Sequence, residues 1–499
     1  MNTNDYSLSP NILESYFGKA SKEFTKADLI RYIEDKGVKM VNFHYIPEDG
    51  RLKTLNFVIN SKEHLDEILT YGERVDGSSL FSYIRVDASD LYVIPKFSTA
   101  FMNVFSEIPT ISFLCSFFDH KGNFYEASPH YMITKARKRL ELETGFRLEA
   151  MGELEYYIIT PKMELFKPED QRAYHESEPF NKTSEFRREA MRIIAQCGGK
   201  IKYAHAEVGS FDVGDKHYEQ NEIEFLPVVL EDAADQLVIA KWILRNLAYQ
   251  KGIHITFSPK ITVGKAGSGL HIHLKLMKGE KNIVLNDGTL SKESKKAIAG
   301  VLDMAPSLTA FGNTNPSSYF RLVPHQEAPT TICWGFRNRA VLVRVPLLWD
   351  HAENMLNKVN EREPGLLPVS PDKQTFEFRV PDGSANVHML IAALTLAVLH
   401  GLTMDKGLEQ AEALYFSPTE ANSSEKLKSF DVLPASCVAS AAELRKQRGF
   451  YEHGEVFPGE VIDRIISKLE YYDDAGLIKK LERNVDGMLE LVDRYFHCG

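Results

Sequence analysis

The order of apolar and polar positions changes character several times along this chain. About twenty mostly polar residues come first, expected to form a flexible leader over 1–24. Behind Thr25, Leu29, Ile30 and Ile33 recur at helical spacing and predict a helix from Thr25 to Lys36. From Val38 the period drops to two. VKMVNFHYI and LKTLNFVI flank an Asp49-Gly50 turn, and LYVIP and PTISFLCSFF complete the strands of a small α+β domain expected over 25–125. The turn HKGN at His120 to Asn123 precedes a helical run from Pro129 to Thr144, which opens a larger domain expected over 126–499. Strands and helices alternate irregularly there, and the segment from about Lys406 to His497 reads as mostly helical.

Five strand-like segments of the larger part carry charge on one face, because residues at i and i+2 point the same way. MGELEYYII aligns Glu153 with Glu155, QNEIEFL aligns Gln220, Glu222 and Glu224, and GLHIHLKL aligns His271, His273 and Lys275. AVLVRVP adds Arg344, with Arg339 just before it, and FEFRVPD adds Glu377 and Arg379. Any one of these is an ordinary half-exposed strand. Together their charged faces are rich in Glu, His and Arg, which suggests an inward-facing sheet with a polar lumen. Carboxylates gathered in a lumen repel one another and raise each other's pKa unless cations neutralise them. A mainly carboxylate shell with an imidazole suits Mg²⁺ or Mn²⁺ better than zinc, and nearby arginines suit carboxylate or phosphate ligands. The glycine-rich GKAGSG, Gly264 to Gly269, leads into a strand and lacks the GK[ST] ending, so it is not a P-loop. It reads either as a turn between strands or as a loop bringing backbone close to a ligand beside His271.

Composition narrows the partners. With 59 basic and 69 acidic residues the formal charge is −10, so no general attraction to nucleic acid or an anionic membrane is expected. The longest apolar stretch, Met389 to Leu399, falls short of the ~20 residues of a spanning helix. MNTNDYSLSP lacks the basic and apolar regions of a secretion signal, and the 5 cysteines include no CxxC spacing. A cytoplasmic protein without disulfides is expected.

The order of motifs resembles the glutamine synthetase family over most of the chain. The pieces are Asp76-Gly77-Ser78-Ser79 with Ala88-Ser89-Asp90, Glu153-x-Glu155, Gln220-Asn221-Glu222, and Ser258-Pro259-Lys260 leading to Gly267-Ser268-Gly269-Leu270-His271-Ile272-His273. Ser318 to Pro324, Glu327-Ala328-Pro329, Asn338-Arg339, Arg344-Val345-Pro346, Glu377 to Asp382 and Ala385-Asn386 complete the series. Singly each is weak; in order they are specific.

The resemblance implies an α+β protein with a β-grasp-like N-terminal domain and a catalytic domain whose curved antiparallel sheet forms a funnel. It implies ATP-dependent ligation of ammonia to the γ-carboxylate of glutamate through γ-glutamyl phosphate, with two or more Mg²⁺ or Mn²⁺ ions. By motif position one metal would be held by Glu155, Glu207 and Glu222, the other by Glu153, His271 and Glu377. Because the stretch between Glu207 and Glu222 is longer than the family's, Glu219 and Glu224 stand as alternatives to Glu222. Arg321 would clamp the substrate α-carboxylate and Gly267 would contact its amino group. Arg339, Arg344 and Arg379 would stabilise the transferring phosphoryl group. His273 and Lys373 would serve ATP, Thr375 standing where the family usually has an Arg. Asp76, Tyr174 and Glu327 match ammonium-site positions, with Glu327 also on a flap that shields the intermediate. Homo-oligomers are implied, in the usual form a dodecamer of two stacked hexameric rings with active sites between subunits. A γ-glutamyl-amine ligase and a non-catalytic homologue remain as alternatives.

Overall fold

The computed structural model describes residues 6–85, 87, 89–323, 328–348, 355–363, 373–417, 424–481 and 483–499. Helix α1 (Ile12–Phe17) lies in the segment expected as a leader, and its Leu13 is fully buried in the core of the small sheet. One anchoring leucine in a polar sequence is too weak a signal for periodicity to find. Helix α2 (Lys26–Lys36) starts at a capping box: the Thr25 hydroxyl accepts from the Asp28 amide, and the Asp28 carboxylate accepts from the Thr25 amide. Gly37, at φ 63°, ends it.

The small sheet contains β1 (Met40–Tyr45), β2 (Lys53–Val58), β3 (Glu73–Asp76), β4 (Asp90–Pro95), β5 (Phe101–Met102) and β6 (Thr110–Phe118). Its main path runs β2-β1-β6-β4-β3, with β1 and β6 parallel and the other neighbours on that path antiparallel. Helix α3 (Lys62–Tyr71), absent from the sequence reading, buries Leu65, Ile68 and Leu69.

The larger part opens with α4 (Pro129–Thr144), where the Ser128 hydroxyl caps the Tyr131 amide and Pro129 sits in the first turn. There follow β7 (Arg147–Pro161), α5 (Ser184–Gln196), β8 (Ile201–Val213), β9 (Lys216–Phe225), β10 (Val228–Val229), α6 (Leu230–Lys251), β11 (His254–Thr256) and β12 (Leu270–Lys278). The two-residue strands β13 (Lys281–Asn282), β14 (Leu285–Asn286) and β15 (Thr289–Leu290) lead to α7 (Lys292–Asp303), α8 (Ala305–Gly312) and α9 (Ser318–Arg321). Then come β16 (Trp334–Phe336), β17 (Val343–Val345), α10 (Met355–Val359), β18 (Phe376–Phe378) and α11 (Val387–Thr403), with further helices between Gly407 and Tyr495.

The order β16-β17-β18-β12-β7-β9-β8 brings all five charged segments into one sheet as neighbours. Its apolar face, including Leu270, Ile272 and Leu274 of β12, packs into the main core with α6 and α11. At Gly152 of β7 a Cβ would lie 2.8 Å from the Leu237 side chain, so helix α6 rests directly on the strand. No single helix among the described residues is long and apolar enough to cross a membrane. All five cysteines are free.

A buried charge network joins the small sheet to the larger part. Lys96, just after β4, places Nζ 3.1 Å from Asp235 Oδ2 on α6 and 2.7 Å from His130 Nε2 on α4. The other Asp235 oxygen meets His388 Nε2 of α11 at 2.8 Å. Burial alone would raise the Asp235 pKa, but Lys96 and the His388 hydrogen bond win and hold it well below the usual carboxylate range. Burial beside Lys96 pushes His130 down to about 3, so it accepts from the ammonium as a neutral ring.

A carboxyl whose folded pKa is depressed contributes stability above its unfolded value, near ~4, and loses it as pH falls toward the folded value. Asp235→Asn is therefore expected to lower unfolding stability by ~3–5 kcal/mol at neutral pH, since Lys96 loses its partner. The variant should also fall off less steeply with acid than the parent below about pH 4. Urea unfolding at pH 7 and pH 3 checks both; a neutral substitution would remove this network as the tie between the two sheets.

Candidate active site

Cross-strand register assembles the polar face. His271 pairs with Glu153 and Glu153 with Glu224, while Glu155 pairs with Glu222 and Glu222 with His205. Glu377 of β18 pairs with His273 on one side and Arg344 on the other. Strands β8 and β9 slip in register between Ala206 and Ser210, and Glu207 lies in that irregularity, the kind of local break that re-aims a side chain.

Glu153 bridges two imidazoles, with Oε2 2.8 Å from His271 Nδ1 and Oε1 2.8 Å from His273 Nε2. Burial opposes its ionisation, yet the two histidines pull its pKa well below the ordinary value, and the same pairing raises His273 against its own burial. His273 Nδ1 also meets Thr375 Oγ1 at 2.9 Å. Glu377, 1% exposed, accepts from Arg344 Nη1 at 3.1 Å and from Arg379 Nε at 3.0 Å, with His271 Nδ1 at 3.4 Å.

Glu222 is the counter-case. Burial, compounded by Glu153, Glu155, Glu207 and Glu224, drives its pKa well above the carboxylate range. That is the cost of crowding anions where water cannot screen them, and a bound cation would reverse it. Side chains of His205, Glu207 and Glu222 offer ligand atoms all within 4.8 Å of one another, as do those of Glu153, His271 and Glu377, and of Glu153, Glu224 and His273. These donor sets fit divalent cations.

Of the first expected metal set, Glu207 and Glu222 come together with His205, and Glu155 lies directly across the ladder from Glu222. Glu155 Oε2 accepts from the Gly269 amide at 2.7 Å and from Gln220 Nε2 at 3.0 Å. Glu153, His271 and Glu377 do converge. Glu219 is fully buried on the opposite face of β9 and accepts from the Lys182 amide, whereas Glu224 pairs with Lys202 at 2.6 Å. The signal for His205 was present in AHAEV, where it alternates with Glu207.

The glycine-rich loop closes on the site through its backbone: the Gly267 carbonyl accepts from Gln220 and the Gly269 amide donates to Glu155. A Cβ at Gly269 would sit 2.4 Å from Arg321 Nη2, and one at Gly267 would sit 2.9 Å from Arg321 Cγ. Arg321 itself, at the end of α9, donates to the carbonyls of Val380 at 2.8 Å and Pro381 at 3.2 Å, and its Nη2 lies 3.3 Å from His271 Nε2. Arg379 also donates to the Arg339 carbonyl, while the Arg339 side chain is exposed.

Tyr174, 47% exposed, stacks on His175 with ring centroids 4.2 Å apart and meets His205 edge-on at 5.4 Å. His175 and His205 are 4.3 Å apart, so this ring cluster borders Glu207 and Glu222. Asp76 is exposed at the end of β3; hydrogen bonds from Ser78 and Ser79 lower its pKa. Lys373 is exposed beyond an undescribed stretch, and Glu327 lies outside the described residues.

The geometry can be set beside known proteins. Residues 37–120 match the model of the glutamine synthetase β-grasp domain, and residues 126–471 match that of the glutamine synthetase catalytic domain. A glutamine synthetase of Frankia alni is 28% identical over 479 residues, covering 88% of this chain and 94% of its own. Among solved structures, Plasmodium falciparum glutamine synthetase superposes with a TM-score of 0.76 at 21% identity, over 94% of this chain and 99% of that one. Apo GmaS superposes at 0.69 with 18% identity, over 92% and 98%, so the fold is shared even where sequence has drifted far. Two adjoining family matches that together span most of the chain, on a sheet whose acidic face gathers the motif residues, lead to one conclusion: this chain belongs to the glutamine synthetase family.

Proposed function

We propose that this chain is a glutamate–ammonia ligase that makes glutamine, ADP and phosphate from glutamate, ammonia and ATP. The observation that carries the reading is the juxtaposition on one sheet face of the crowded Glu222 group with the Arg344–Glu377–Arg379 cluster, anionic metal ligands beside cationic phosphate ligands.

A carboxylate cannot exchange its oxygen for nitrogen directly, because oxide is a poor leaving group. An oxygen of the glutamate γ-carboxylate attacks the γ-phosphorus of ATP, ADP departs, and the oxygen now leaves as phosphate when ammonia attacks the acyl carbon. Divalent ions, when bound by Glu153, His271 and Glu377 and by the Glu207–Glu222 group, supply charge neutralisation at the phosphates and the carboxylates. Arg339, Arg344 and Arg379 stabilise negative charge on the transferring group, a positioning and electrostatic role. Arg321 holds the α-carboxylate, Gly267 contacts the amino group, and His273 and Lys373 face the nucleotide. Tyr174, Glu327 and Asp76 from a neighbouring copy gather ammonium, and the Glu327 carboxylate takes its proton so that neutral ammonia attacks.

A second reading, ligation of a small organic amine, is favoured by the ring cluster of Tyr174, His175 and His205 beside Glu207, since aromatic faces and a carboxylate also suit an alkylammonium. Phosphate release from ATP and glutamate, compared between ammonium and a panel of amines, separates the two. Ammonium should win by kcat/KM, and preference for an amine would overturn the first reading. Exhaustive chelation should abolish turnover and Mg²⁺ or Mn²⁺ should restore it.

Glu327→Ala is expected to spare acyl-phosphate formation while raising the ammonium concentration for half-maximal rate roughly ten- to a hundredfold. Glutamate-dependent ATP hydrolysis should then outrun glutamine formation. Phosphate and glutamine measured together across an ammonium titration check this; strict proportionality would dismiss Glu327 from the ammonium site.

Assembly as a ring, two hexamers stacked, would bring the exposed Asp76 to a neighbour's site. Mixed oligomers of Asp76→Ala and Arg339→Ala subunits should regain activity that neither variant has alone. A fully active monomer would refute shared sites.

A further inference from the structure

We propose that His205 is a ligand of the metal held with Glu207 and Glu222, and that this nitrogen makes the site select Mn²⁺ or another transition-series divalent ion over Mg²⁺. The inference rests on the metal-dependent reading above, but it departs from the all-carboxylate set that family resemblance implies. His205 belongs to β8 and lies directly across the ladder from Glu222. Its Nδ1 lies 3.0 Å from the Ala206 carbonyl, which can only accept, so Nδ1 carries the proton and Nε2 presents a lone pair. Nε2 stands 3.4 Å from Glu222 Oε1, and the ligand atoms of His205, Glu207 and Glu222 lie within 4.8 Å of one another. An imidazole fixed in this way by a backbone carbonyl is how proteins usually hold a metal-binding histidine.

Glu222 supplies the independent evidence. It is 7% exposed, and among the described residues no hydrogen-bond donor reaches its carboxylate. Glu155, the carboxylate expected in this set and the cross-strand partner of Glu222, accepts from Gln220 and the Gly269 amide through Oε2 alone. A buried carboxylate without a donor, facing a lone pair and a second carboxylate, is a place for a cation. An imidazole among carboxylates favours Mn²⁺, which takes nitrogen as well as oxygen donors, whereas Mg²⁺ prefers oxygen ligands alone.

The test reads the metal directly. Electron spin-echo spectra of the Mn²⁺-loaded protein report ¹⁴N coupling from a bound imidazole. In a His271→Ala/His273→Ala background the coupling should persist, and adding His205→Ala should abolish it. In the otherwise native protein, His205→Ala should weaken Mn²⁺ binding at this site roughly tenfold or more, and weaken Mg²⁺ binding much less. His205→Glu, which restores an oxygen donor, should keep the metal and narrow the preference for Mn²⁺ over Mg²⁺ by roughly tenfold. Loss of the coupling in the His271→Ala/His273→Ala background while Mn²⁺ still binds overturns the proposal. So does a selectivity left unaltered by His205→Glu, whatever the other variants do. None of these readouts needs turnover. A protein that meets them without making amide keeps His205 as a ligand and refutes the ligase reading, whereas a competent ligase with unchanged selectivity does the reverse.

Discussion

Burying several carboxylates on one concave sheet face is the constraint around which this molecule is arranged. Glu153, Glu155, Glu222, Glu224 and Glu377 all project from neighbouring strands and are largely out of water. Each charge so placed must find a cation or hydrogen-bond donors, or stay protonated. Glu153 finds two histidines, Glu377 two arginines and Glu224 a lysine, while Glu155 is held by an amide and a glutamine side chain. Glu222 has only the His205 ring, 3.4 Å away, and faces four other carboxylates, and that imbalance is what points the sheet toward metal chemistry.

The surrounding backbone serves the same end. The loop from Gly264 to Gly269 lacks side chains where Arg321 crosses it, so its amide and carbonyl can reach Glu155 and Gln220. Arg321 in turn ties the carbonyls of residues 379–381 to His271, linking β18 to β12 beyond their ladder. Cations and amide groups are thus fixed before substrate arrives, the condition under which electrostatic stabilisation of a transferring phosphoryl group requires little rearrangement. On the far side of the sheet, α6 and α11 supply the apolar support, and Asp235 and His388 on those helices reach the small sheet through Lys96.

How much of this could be read from the chain follows the range of each interaction. Caps and turns are local: Thr25 with Asp28, and Ser128 with Pro129, mark helix starts in any context. Period-two alternation is local too, so the polar faces of the five segments were legible residue by residue. Helix α3 and Leu13 were missed because short amphipathic stretches among strands give a weak periodic signal.

What the sequence by itself determined was which side chains share a face of which strand, and therefore that Glu, His and Arg would confront one another if the strands met. Tertiary structure decided which strands meet and in what register: β12 between β7 and β18, Glu153 opposite His271, and His205 opposite Glu222. It also decided that Glu155 Oε2 would be taken up by the Gly269 amide, and that an imidazole would stand with Glu207 and Glu222. Alternation is a property of one strand's own backbone, whereas register, the β8 irregularity and the burial that perturbs Glu222 arise only when strands far apart in sequence are hydrogen-bonded side by side.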